Sequence, residues 1–176
     1  MNESVAEALI LTINALGAGI LIFIAGVLQK IMDDMDEHDF KRFLNALVTT
    51  AMNNYFLVTV ATLPIIAAIM YFLAYGFHHW WITMGFIVWF IGSSITKIIN
   101  MPVYKWVGDQ KNNDPEDLRK QRRKLRLGNN LRAWFTFASV VLMACQLGVG
   151  EIVVVVVLSG IIAFPLVKWA RKYIPG

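Results

Sequence analysis

The sequence predicts an all-α integral membrane protein: an antiparallel four-helix transmembrane core followed by a fifth, C-terminal span. Three observations carry that prediction. The chain is 57% apolar, carries only 16% charged residues and has a mean hydropathy of +0.57, whereas soluble domains hold about a quarter charged residues. Long uncharged stretches alternate with short polar breaks. All sixteen lysines and arginines fall in breaks that a single topology places on one side. Lys30, Lys41 and Arg42 follow the first apolar stretch, Lys97 and nine more from Lys105 to Arg132 surround the central break, and Lys168, Arg171 and Lys172 follow the last stretch. The other breaks hold only the acids Glu3, Glu7 and Glu151. Cytoplasmic loops collect lysine and arginine. The expected location is therefore a bacterial inner (plasma) membrane, with the N-terminus outside and the C-terminus in the cytoplasm.

Span one runs over the uncharged stretch Ala8 to Gln29, long enough for a hydrocarbon core of about 30 Å. It starts after acids rather than basic residues, which reads as a span and not as a cleavable leader. Gly17, Gly19 and Gly26 predict close approach of a neighbouring helix. Between Arg42 and Lys97 no residue carries a fixed charge, and Gly76-Phe77-His78-His79 divides this stretch in two. Span two is then about Asn53 to Tyr75 and span three about Trp80 to Ile99, with Trp80 and Trp81 at the interface. Pro64 predicts a kink, its freed carbonyl satisfied by Thr62 or a neighbouring helix. Ahead of span two, Asp36-Glu37-His38-Asp39 supply caps, and Phe40, Phe43, Leu44 and Leu47 mark one apolar helical face lying along the cytoplasmic surface.

In the central segment Asp114 is an N-cap, Pro115 suits the first helical position, and Glu116 and Asp117 complement the helix dipole. A basic cytoplasmic helix over about 115–128 comes next, weakened at Gly128-Asn129-Asn130, and span four covers about Leu131 to Gly148. Span five, Ile152 to Val167, is a β-branched run that lipid forces into a helix, because an open strand edge has no partners in hydrocarbon. Five spans put every basic residue inside, whereas four spans with a re-entrant last segment put Lys168, Arg171 and Lys172 outside. The domain reading is residues 1–148 as a four-helix membrane domain and residues 149–176 as an added helix with a cytoplasmic tail.

The pI of about 9.3 belongs to loops that face anionic lipid, which explains it without nucleic acid. The lone Cys145 excludes a disulfide framework and a thiolate metal site. No carboxylate falls within the spans as drawn, so the usual groups of a proton relay or ion-coupled transporter are missing. His78 and His79 point apart on a turn, which disfavours a shared metal, and His38 among acids reads as a cap. Asn14, Ser93, Ser94 and Thr96 bond neighbouring helices or their own backbone, or line a cavity. Pro102 stops span three at Met101, with Asn100 capping its last carbonyls. Asn129, Asn130 and Arg132 open span four, and because spans three and four share the cytoplasmic loop, Asn100 and Arg132 sit at equal depth and are expected to face each other. Asn53 enters span two at the same depth. An amide and a guanidinium converging at the rim of an apolar bundle suit an oxygenated, mostly apolar ligand. The competing structural reading makes Asn100 a cap and Arg132 an interfacial phosphate contact.

These residues also carry a resemblance. Asp34 to Phe56, ending in Asn53-Asn54-Tyr55-Phe56, then Asn100-Met101-Pro102, then Asn129-Asn130-Leu131-Arg132, together resemble the anthrone-oxygenase-like family of small membrane proteins over roughly residues 10–147. Most bacterial members of that family have no assigned function. The resemblance implies a four-helix membrane core. Fungal members insert oxygen into anthrones without metal or flavin, so no cofactor is implied. Asn53, Asn100, Pro102, Asn129 and Arg132 match the family's positions. Members carry an aromatic where Gly128 stands, a histidine where Asn130 stands and a proline where Asn54 stands. If that histidine is the base, this chain lacks it.

Two functions of different class are implied. One is a membrane enzyme or binder for a lipophilic aromatic such as an anthrone, quinol or phenol, with Asn53, Asn100, Asn129 and Arg132 as ligand-binding candidates, Pro102 structural and no metal; Arg132 and Asn100 would stabilise an enolate oxygen. The other is a non-catalytic accessory or assembly subunit of a larger membrane complex, and a transporter of a small neutral solute comes third. Expected partners are membrane lipid, a lipophilic small molecule, and a membrane-protein partner or second copy, but not nucleic acid.

Overall fold

The computed structural model describes residues 3–147, and all of its regular structure there is helical. Five helices succeed one another: α1 (Glu3–Asp34), α2 (Glu37–Asn53), α3 (Tyr55–Tyr75), α4 (Trp80–Gly108) and α5 (Pro115–Ala144), with a 3₁₀ turn at Cys145–Leu147. Of these, α1, α3 and α4 are long and apolar enough to cross a membrane. The apolar half of α5, from Leu131 to Ala144, spans about 21 Å. The expected span five, Ile152 to Val167, lies outside the described residues.

The helix starts obey local chemistry. Asp36 accepts from the Asp39 N–H at 2.8 Å to cap α2, Asn54 accepts from the Leu57 N–H at 3.1 Å to cap α3, and Asp114 accepts from the Asp117 N–H at 3.0 Å to cap α5. Asn54 therefore separates a surface helix, α2, from α3, and α2 buries Phe40 and Leu44 as its apolar face requires. Gly76 ends α3 at φ +73°, a conformation that disfavours a side chain.

Several expectations are corrected. Span one begins earlier than Ala8, because α1 includes Glu3 and a buried Glu7. Gly17, Gly19 and Gly26 have open space where a Cβ would stand, so no described helix packs on them. The close approach occurs between α4 and α5 instead. A Cβ on Gly85 would come within 2.5 Å of Met143 Cγ and one on Gly92 within 3.0 Å of Phe135 Cβ. Thr62 Oγ1 donates to the Val58 and Thr59 carbonyls, not to the Val60 carbonyl that Pro64 frees, and α3 runs on through the proline. Pro102 does not stop α4. A π turn over Thr96–Asn100, closed by the Met101 N–H on the Thr96 carbonyl, directly precedes it. That wider turn makes room for a ring that would otherwise strike the carbonyl four residues back, and the helix continues to Gly108. Nor does Gly128-Asn129-Asn130 interrupt α5.

Two cores hold the bundle. At the basic end Met32, Phe40, Leu44, Val103, Val107, Leu118 and Leu125 are buried together, joining the ends of α1 and α4 to α2 and the start of α5. At the opposite end Ala6, Ile10, Tyr71, Ile82 and Met143 form the second. Between them α3 exposes Leu63, Ile65, Ile66, Ile69, Met70 and Leu73, an apolar surface suited to lipid.

Candidate functional site

Arg122 locks the basic end. Its guanidinium donates to the carbonyls of Asp33, Met35 and Asp36 and lies 4.7 Å over the Phe40 ring. Lys41 Nζ likewise donates to the Asp109 and Asn112 carbonyls and to Asn113 Oδ1, fixing the loop into α5. Beyond these, Arg119 Nε pairs with Glu37 Oε1 at 2.5 Å and holds that carboxyl below the usual glutamate range.

Above that clamp a chain of amides crosses the bundle. Asn100 Nδ2 on α4 donates to Asn129 Oδ1 on α5 at 2.8 Å, and Asn129 Nδ2 donates to Gln29 Oε1 on α1 at 2.9 Å. Gln29 Nε2 then donates to Asp33 Oδ1 at 2.9 Å, and Asp33 Oδ2 meets Arg126 Nη1 at 3.4 Å. Asn100, Asn129 and Gln29 are buried. Buried amides of this kind tie helices together by satisfying one another. Asn100 Oδ1 has no hydrogen-bond partner and lies against Gly128, where an added Cβ would stand 1.9 Å from it. A larger side chain has no room at Gly128 for the same reason.

Of the four predicted ligand residues, the structure brings together Asn100 and Asn129. Arg132 is half-buried and makes no direct hydrogen bond to the Asn100 side chain, whose Oδ1 is unpartnered. Asn53 is exposed at the end of α2, away from the chain. Pro102 does not end the span as expected but follows the π turn within a helix that continues to Gly108. Asn14 Nδ2 and Ser94 Oγ bond their own helices' carbonyls, at Ile10 and Phe90.

Sequence reasoning missed Gln29, which joins the amides from 100 residues away. It also missed a groove of about 330 Å³ between α1 and α5, lined by Ile22, Ala25, Gly26, Asn130, Ala133, Trp134 and Phe137. Trp134 and Phe137 meet edge to face at 6.3 Å, and Trp134 and Asn130 are exposed. The available signal was the run Asn130, Ala133, Trp134, Phe137 at helical spacing on α5. A third grouping, Glu3, Glu7 and His79, gathers at the far end. The described residues form a helical bundle with three helices long and apolar enough to cross a membrane, and comparison of the chain with known protein families, curated proteins and solved structures finds no match.

Proposed function

We propose that this is a small polytopic membrane protein of the anthrone-oxygenase-like type that binds a planar, lipophilic aromatic molecule in the groove between α1 and α5. The groove carries the reading: it sets one amide, Asn130, beside the rings of Trp134 and Phe137 on a wall of small side chains. Its volume lies at the lower end of the range of small-molecule sites. Ring faces and one polar anchor suit a quinol, phenol or anthrone entering from lipid. Asn130 stands where the resembled family carries a histidine, which supports placing the ligand here. An amide offers and accepts hydrogen bonds but takes no proton at neutral pH, so the reading is binding without base-driven oxygenation. The four-helix membrane core, the fifth span and the cytoplasmic C-terminus belong to the same proposal and rest on the basic residues gathered at one end.

A specific observation favours a second reading, the non-catalytic accessory subunit. Gly17, Gly19 and Gly26 leave α1 open to a further helix, and Asn100 and Asn129 are already engaged in holding the bundle.

The test is quenching of Trp134 by a hydroxylated anthrone in lipid nanodiscs. Saturable quenching should vanish in Trp134→Phe. It should weaken at least about tenfold in Gly26→Leu, which fills the groove where space is open and favours helix. Unchanged titration of Gly26→Leu would sink the binding reading. A membrane protein co-purifying with the wild type but not with Gly17→Leu would support the second.

A further inference from the structure

At the end of the bundle away from the lysines and arginines, three side chains with metal-ligand chemistry converge. Glu3 and Glu7 stand four residues apart on α1, so they share one face. His79 is the residue before α4, held extended at φ −86° and ψ 96° after the Gly76 turn. Its Nε2 lies 3.0 Å from Glu3 Oε1 and its Nδ1 2.9 Å from Glu7 Oε1. One ligand atom from each residue falls within 4.8 Å of the other two. The Tyr71 hydroxyl donates to Glu7 Oε1 at 3.2 Å, and the Gln146 amide bonds His79 Nδ1. The site thus draws on α1, the α3–α4 turn and the end of α5, with Tyr71 of α3 orienting one carboxylate.

The charge balance points the same way. Glu7 is 7% exposed, and burying a carboxylate costs several kcal/mol unless its charge is met. Two carboxylates face one imidazole, so the cluster carries about −2 with neutral histidine and about −1 with the imidazolium. Among the described residues no lysine or arginine pairs with it, and the nearest basic residue in sequence to Glu7 is Lys30 and to His79 is Lys97.

We propose that Glu3, Glu7 and His79 form a binding site for one divalent first-row transition ion of the zinc or manganese type. Two carboxylate oxygens and an imidazole nitrogen are ligands that such ions accept, and three protein ligands leave a position for water. The ion cross-links the start of α1 to the α3–α4 turn and stabilises the folded bundle increasingly as its free concentration rises above the dissociation constant.

The test uses the full-length protein in nanodiscs, stripped with a chelator and titrated with Zn²⁺ by calorimetry, with Co²⁺ absorption as a reporter of coordination. The wild type should bind one Zn²⁺ per chain and melt at a higher temperature when loaded. Glu3→Gln should weaken binding by about ten- to a hundredfold, His79→Ala should remove it, and His78→Ala should leave it intact. Absence of Zn²⁺ binding to the wild type, or equal affinity in wild type and Glu3→Gln, would overturn the proposal. So would loss of binding in His78→Ala alone. Glu3 is partly exposed and its glutamine variant keeps the side chain's shape, so that arm remains decisive if His79→Ala fails to fold.

Discussion

Gly128→Ala should destabilise the bundle although alanine is the better helix former. The added methyl would stand 1.9 Å from Asn100 Oδ1, 2.9 Å from Ile99 Cγ2 and 3.1 Å from Asn100 Cγ, so the amide of Asn100 has to move. Overpacking of this kind costs about 1–3 kcal/mol. Moving the amide also breaks the Asn100–Asn129 bond and leaves a buried partner unsatisfied, about 1–3 kcal/mol more. Helix propensity returns about 1 kcal/mol. The net loss is about 3 kcal/mol, within a range of about 1–5 kcal/mol that those same terms allow. The assay is reversible unfolding by increasing SDS mole fraction in mixed micelles, read by far-ultraviolet circular dichroism. A double-mutant cycle with Asn100→Ala isolates the cause: without the amide, the cost of Gly128→Ala should fall by at least half. A Gly128→Ala protein as stable as the wild type, or an unchanged cost in the Asn100→Ala background, would refute the reasoning.

Further outcomes are expected elsewhere in the chain. Arg122→Lys should cost about 1–2 kcal/mol in the same unfolding assay, because one ammonium cannot reproduce a planar fork bonded to three carbonyls and stacked on Phe40. Arg119 lowers the Glu37 pKa, so the pair's stabilisation is complete above the ordinary glutamate value of about 4.3 and is lost as pH falls through the lowered folded value. Hydrogen exchange of α2 should therefore accelerate only in that acid window, and Glu37→Gln should remove the dependence. Reporter fusions after residue 150 and after residue 176 should report opposite sides of the membrane; the same side for both would eliminate span five.

What is legible in the sequence is local. Asp36, Asn54, Asp114 and Gly76 act on groups within four residues of themselves, so capping chemistry and the left-handed turn place helix ends without knowledge of the tertiary fold. The buried amides stand out as unusual, but equal depth pairs Asn100 with Arg132, whereas its partner is Asn129. Depth does not fix which residue of α5 meets Asn100, and the faces of α1 and α4 are turned by two π turns, Ile24–Leu28 and Thr96–Asn100. Each inserts a residue that rotates the downstream helix by about 100° relative to a regular one. Gln29 directly succeeds the first and Asn100 closes the second, so a constant 3.6-residue period does not carry through to either residue. The Glu3–Glu7–His79 cluster is hidden differently, since its members read as interfacial groups and His79 lies 72 or more residues from either acid.

The amide chain has a direction, and one ion sets it. From Asn100 through Asn129 to Gln29 each NH₂ group faces the next oxygen, and the last meets the Asp33 carboxylate. A carboxylate accepts but cannot donate when ionised. Turning Asn129 or Gln29 over would therefore set oxygen against oxygen at one end and NH₂ against NH₂ at the other, and turning Asn100 over would set its oxygen against that of Asn129. Reversing all three would present Gln29 oxygen to a negative charge. The members can exchange orientation only as a unit, and ionised Asp33 forbids the reversed state. A single charge near the solvent thus polarises a row of buried dipoles reaching across three helices, and the side chain at its far end, Asn100, is read out by a carboxylate it never touches.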